Sequence, residues 1–363
     1  MKKSLLALAV LGAFAGAASA QSSVTLFGIV DLNLRYIDND AGTQYQMNQD
    51  GNASSRLGFR GVEDLGGGLN ASFWIEGAVN AQNGTASGQT WRRRQTVSLA
   101  GGWGEVRLGR DYTATFWNWT IFDPFGTNGI GNSGNLGFVQ AQPVPSGGAY
   151  GTLVRADNMV AYFLPSGIAG GLYGQAQVAA GQGSNGNKFY GFRLGYASGP
   201  FNVAGAWGRT QVTGGIPNVS PPPGLPDDTN GTNWNIAGSW DFGVVKASVF
   251  YGNLTYQALD QSNWYIGLQA PVGLWTLKGT YGQVDRSGIE PFAAGWDNQS
   301  AWQLAVGATY DLSKRTALYG TYSHISNSDG ARFVVGAMNG HPGGGGAADA
   351  TSQGFEVGIR HSF

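Results

Sequence analysis

The chain has no cysteine, which excludes a disulfide framework, thiolate chemistry and a cysteine-ligated zinc site. Charge is scarce too. Lys, Arg, Asp and Glu together make 12 % of the residues, against about 25 % in an ordinary soluble domain. Neither sign dominates, with 21 basic and 22 acidic residues. Lacking a basic surplus to displace counterions from a phosphate backbone, the chain is not expected to bind nucleic acid. Only three histidines occur, His324, His341 and His361. A Ser–His–Asp site needs an imidazole held beside an acid, whereas His341 sits in a Gly- and Pro-rich stretch and His361 shares an apolar strand face. No Walker or H-E-x-x-H pattern is present. The sequence therefore implies no enzyme, no resident metal and no cofactor. Past residue 20, no apolar run reaches the 18 or so residues of a membrane helix.

What is abundant points elsewhere. Glycine supplies 61 residues and aromatics 12 %, including 12 Trp and 15 Tyr. The N-terminus reads as a cleaved secretory signal. Lys2 and Lys3 are followed by an uncharged, largely apolar stretch from Leu5 to Ala18, and Ala18-Ser19-Ala20 is a small-residue cleavage pattern. The expected division is a signal peptide at 1–20 and one domain at 21–363. Removing the signal leaves 19 basic residues against 22 acidic ones.

Period-2 alternation recurs through that domain. Phe355, Val357, Ile359, His361 and Phe363 take one face of the last segment, and Glu356, Gly358, Arg360 and Ser362 the other. Trp302, Leu304, Val306, Ala308 and Tyr310 alternate in the same way with Gln303, Ala305, Gly307, Thr309 and Asp311. A strand with an apolar face and a polar or tiny face suits lipid on one side and a wet lumen on the other. Short turn signals (64–68, 198–200, 270–273, 311–314) alternate with long polar connections at about 38–52, 81–91, 112–154, 214–230, 286–298 and 327–351. Sixteen strands result, the first three at about 24–37, 53–63 and 69–80 and the last at 352–363. Backbone polar groups find no partners in lipid, so the sheet must close. Sixteen strands enclose water, where eight would be filled by side chains. The expected fold is all-β: a transmembrane antiparallel barrel.

The connection at 112–154 stands apart. It has no strand period and carries Phe116, Trp117, Trp119, Phe122, Phe125 and Phe138. Long ordered connections are usually functional, and six large aromatics call for a surface to pack on, of which the lumen wall is nearest. Within it, Gly129-Ile130-Gly131-Asn132-Ser133-Gly134 matches G-x-G-x-x-G, but without the strand before and helix after that a dinucleotide site requires.

Several stretches resemble the general porins of β-proteobacteria, and the resemblance spans nearly the whole mature length. They are Val24-Thr25-Leu26-Phe27-Gly28-Ile29-Val30-Asp31, the run from Ser55 to Gly66 (SRLGFRGVEDLG), the run from Gly104 to Arg110 (GEVRLGR), Leu312-Ser313-Lys314-Arg315-Thr316 and the terminal Phe363. The resemblance implies a trimer in the outer membrane of a Gram-negative bacterium. It also implies a third external loop folded into the pore as a constriction, and wall arginines opposite it at Arg56, Arg94 and Arg155. Phe363 would serve as the signal read by the barrel-assembly machinery.

Strand parity points the same way. With Leu57 and Phe59 toward lipid, Arg56 and Arg60 face the lumen; with Val97 and Leu99 outward, Arg92 and Arg94 face inward and Arg93 outward, above the apolar band. With Val160 and Tyr162 outward, Arg155 and Asp157 face inward. A lipid-facing arginine at mid-membrane costs about 2–4 kcal/mol, so inward is the cheaper placement. The alternative is that these arginines only brace the wall against Glu63, Glu76, Glu105 or Asp157. Asp123 is the one acid inside the long loop. Trp74, Trp117 and Trp119 are candidate stacking surfaces in the lumen, or anchors for the loop. The expected function is passive diffusion of small polar solutes and inorganic ions, with a preference for anions; the alternative is a channel selective for a sugar or organic acid.

Overall fold

In the computed structural model, described for residues 23–40, 42–84, 91–137, 152–182, 188–213, 228–256, 259–287, 298–336 and 346–363, the chain is an antiparallel barrel. The signal expected at 1–20, Phe138 and His341 lie outside the described residues. The strands are β1 (Ser23–Asp38), β2 (Thr43–Gln49), β3 (Arg56–Gly66), β4 (Leu69–Ala78), β5 (Arg94–Gly101), β6 (Gly104–Tyr112), β7 (Arg155–Phe163), β8 (Leu172–Ala179) and β9 (Lys188–Ser198). They continue as β10 (Phe201–Thr213), β11 (Asp228–Asp241), β12 (Lys246–Tyr256), β13 (Leu259–Val272), β14 (Trp275–Ser287), β15 (Gln299–Asp311), β16 (Thr316–Ser328) and β17 (Thr351–Ser362).

Seventeen segments make sixteen staves, because β2 and β3 share one. Ser23–Ile29 of β1 pairs with β3, while Leu32–Asp38 pairs with β2. Between them, residues 50–55 leave the ladder and are held by Asp31, whose carboxylate accepts the N–H groups of Gly51, Asn52 and Ala53. The 38–52 connection is thus not the plain external loop the sequence suggested. Tyr45 and Met47 point outward at 81 % and 56 % exposure, and the alternation continues through residues whose polarity disguised it.

One face of each strand meets lipid. Val97, Leu99, Leu108, Val160, Ile236, Val249, Ile266, Leu268, Val306 and Ile359 are all exposed. At the end carrying the short turns, Trp240 stands beside Phe242, and Trp275 packs 4.6 Å from Tyr310. Aromatic rings gather at such a level because they bridge hydrocarbon and water.

Closure is completed by the last residue. β17 pairs with β1, and Phe363 and Gly28 exchange both backbone hydrogen bonds at 3.1 Å. The Phe363 ring fills the space a Cβ on Gly28 would take, 2.3 Å from it. Each bond contributes about 1 kcal/mol, and the seam has no other partner in lipid. Deleting Phe363 is therefore expected to lower the heat-modifiable, folded fraction in the outer membrane while export across the inner membrane continues. An unchanged folded fraction contradicts this.

Candidate constriction site

The long connection after β6 does enter the barrel. Its first part is helix α1 (Ala114–Phe122), although Phe, Trp, Thr and Ile are middling helix formers. Tertiary packing decides the conformation. Trp119 stacks on Phe250 at 5.5 Å, and Phe122 joins the same buried group with Leu254 and Tyr265. Asn118 spans the helix–wall gap, donating to the Ala204 carbonyl and Asn235 Oδ1 and accepting from Arg193 Nε. Farther on, Gln269 donates to the Pro124 carbonyl and Gln303 to those of Gly131 and Asn132. A second apolar group sets Ile130 and Leu136 against Ile37, Ile325, Phe333 and Val335. The loop hugs the wall from β8 round to β17, which leaves β3–β6 facing it across the lumen.

That uncovered wall carries the arginines. Glu76 on β4 pairs with Arg56 (3.5 Å) and Arg93 (2.5 Å) and accepts from Trp74 Nε1. Arg93 Nη2 donates to the Tyr112 hydroxyl, and the Arg155 guanidinium lies 4.4 Å from the centre of the Tyr112 ring. Arg56, Arg93 and Arg155 thus gather around one carboxylate and one phenol, at the root of the loop where Tyr112 meets Phe116 and Trp117. No ion pair reaches Arg155 among the described residues.

Three assignments change, those of Arg93, Arg94 and Asp157. Arg93, given an outward parity from the sequence, is buried beside Glu76. Strict alternation fails there because β5 starts only at Arg94. Arg94 belongs to a second network, 3.6 Å from Asp111, which also binds Arg107, itself paired with Glu105. Two arginines and two acids balance in that network, whereas in the first the three arginines outnumber Glu76 and the nearby Asp50. Arg92 precedes the strand and is exposed. Arg155 keeps its place at the head of β7, but Asn158 (φ 55°) bulges the strand below it, and Asp157 turns outward to Arg110. The sequence carried a signal for Arg93: three consecutive arginines at a strand entrance cannot all obey one parity.

Asp123 does not project into the pore. It is buried beneath its own loop and accepts from the N–H groups of Phe125, Thr127 and Ser133 and from Ser133 Oγ. Burial pushes its carboxyl above the usual range, against the pull of those hydrogen bonds. It shapes the loop and supplies little negative field to the passage. Trp119 is likewise structural, its Nε1 bonded to Ser133 Oγ, and Trp117 meets Tyr112 edge-on. Trp74 lines the lumen, with the guanidiniums of Arg94 and Arg60 lying 4.7 and 5.4 Å from its ring centre.

The comparisons with known proteins agree with this architecture. The family described as Gram-negative porin matches residues 7–330. Outer membrane porin protein 32 of Delftia acidovorans is 36 % identical over the full length of both chains, and an outer membrane porin of Bordetella pertussis is 30 % identical, again over both full lengths. Among solved structures, an anion-selective porin from Comamonas acidovorans superposes with a TM-score of 0.82 at 33 % identity, covering 94 % of this chain and all of that one. An outer membrane protein of Vibrio cholerae, at 14 % identity and a TM-score of 0.66, shares the fold. A closed sixteen-stave barrel with an inward-folded third loop, matched along its length by these relatives, belongs to the Gram-negative porins of the outer membrane.

Proposed function

We propose that the passage favours anions, and that Arg56, Arg93 and Arg155 set this preference. The observation that carries the reading is the charge imbalance at the loop root: three guanidiniums, ion-paired only with Glu76 among the described residues and with Asp50 as the further acid close to Arg56 and Arg93, while Asp123 is buried away. Arginine stays charged at any working pH, and selectivity in a narrow aqueous pore follows the local field rather than the net charge of the chain. Arg60, exposed and resting on Phe27 and Trp74, adds positive charge at the lumen wall. The relative of known structure whose name states anion selectivity supports the same reading.

The mature protein is read as beginning after a cleaved signal at 1–20 and as acting as a homotrimer. Its apolar band faces outer-membrane lipid and sister barrels, and the barrel-assembly machinery inserts it using Phe363. Its role is diffusion rather than catalysis. A sugar-stacking site is disfavoured, since guanidiniums already lie against Trp74 and Trp119 is buried.

Liposome swelling tests the reading. Permeation of a sugar-acid anion, the matching neutral sugar and the matching amino-sugar cation should rank in that order. Equal rates, or the cation first, contradict it.

A further inference from the structure

The run from Gly129 to Gly134, a dinucleotide fingerprint in letters only, is the docked far end of the inner loop. Ile130 N–H donates to Glu356 Oε1 at 3.0 Å, and the neighbouring Gly129 N–H donates to the Asp50 carbonyl at 2.8 Å. Gly129 has φ +67°, and a Cβ there would stand 2.3 Å from both Glu356 Oε1 and the Gly51 carbonyl oxygen. Only glycine fits that approach. Glu356 itself is fully buried on β17. Its other oxygen, Oε2, is taken by Arg35 on β1 through Nε (3.1 Å) and Nη2 (2.8 Å), and both side chains are 0 % exposed. Arg35 thereby fixes the carboxylate so that Oε1 points at the loop. An acid with an ion-pair partner on the wall still spends half its acceptor capacity on a loop amide more than two hundred residues earlier in the chain.

We propose that Glu356 is a positioning residue for permeation: its Oε1 latches the loop at Ile130 and so fixes the width of the passage. The proposal rests on the inner loop being the narrowest element, which deletion of residues 116–125 tests separately. Touching no solute, Glu356 acts through the loop. The loop keeps other ties, including Gly336 N–H to Asn135 Oδ1, so loss of the latch frees its position without detaching it.

Two double variants separate the latch from the ion pair. In Arg35→Met with Glu356→Gln, the pair is gone but the Gln carbonyl can still accept from Ile130. In Arg35→Met with Glu356→Leu, pair and acceptor are both gone, and the apolar replacement keeps the barrel closed, since buried pairs are often replaceable in this way. In planar-bilayer recordings the first should show one steady conductance level and closure at the wild-type voltage. The second should show scattered, noisy levels and closure at a lower voltage. Gly129→Ala keeps both charges of the pair, but its Cβ meets Glu356 Oε1 and the Gly51 carbonyl and so breaks the close approach at Ile130; it should reproduce that noise even if the Leu variant fails to assemble. A single steady level at the wild-type closing voltage, in the Leu variant or in Gly129→Ala, overturns the proposal.

Discussion

Removal of residues 116–125 from the inner loop is expected to raise single-channel conductance at least about twofold, because the wall-packed element that narrows the lumen goes while a sixteen-stave barrel still encloses water. The barrel should survive the loss. Its ladders run from stave to stave without the loop, and closure depends on the β1–β17 seam. The deletion exposes Phe250 and Tyr265, now covered by Trp119 and Phe122, to pore water. Some stability is lost with that apolar contact, so the folded fraction on a gel has to be measured beside the conductance. Unchanged conductance in a correctly folded deletion would mean that another element limits the flow.

Changing Arg56, Arg93 and Arg155 together to Gln is expected to move the zero-current potential in a potassium chloride gradient strongly toward potassium. Glutamine keeps much of the volume and hydrogen-bonding capacity, so the change is chiefly one of charge. It leaves Glu76 and the nearby Asp50 as the charged groups of that cluster, reversing the sign of the local field. The shift should be larger at low salt, where the Debye length grows from about 8 Å at physiological ionic strength to about 30 Å at 0.01 M. Arg155→Gln should give the largest single shift of the three, since Arg56 and Arg93 share Glu76 and Arg155 has no ion pair among the described residues. Arg94→Gln disturbs instead a network in which acids and arginines already balance. Equal shifts for Arg155 and Arg94 would point to a diffuse field in place of a focused one.

The barrel was legible in the sequence because lipid enforces a simple code. Each stave exposes one apolar face, as Phe355, Val357 and Ile359 do at the C-terminus. β2 escaped because Thr43, Gln44, Gln46, Asn48 and Gln49 are polar on either parity. Helix α1 escaped for the opposite reason: Ala-Thr-Phe-Trp-Asn-Trp-Thr-Ile-Phe is apolar nearly all round, and a helix touching its own loop on one side and the wall on the other needs no polar stripe. Parity put Arg56 and Arg155 on the inner face, but it put Arg93 outward, because it holds only inside a ladder and Arg93 sits at its mouth. Nothing local showed that Asp123 would fold under its own loop, since its four donors become available only once the turn at 123–133 has formed. Nor did the sequence pair Arg35 with Glu356, which lie 321 positions apart and meet only across the closing seam.

The central claim is that the excess of arginine over acid at the loop root gives the pore its preference for anions. The most direct measurement is the zero-current potential of the wild-type channel across a potassium chloride gradient, recorded at low and at high salt. A potential of the sign set by chloride flow, larger in magnitude at low salt, is the predicted result. A potential of the sign set by potassium, or a chloride preference indifferent to salt, would contradict the account.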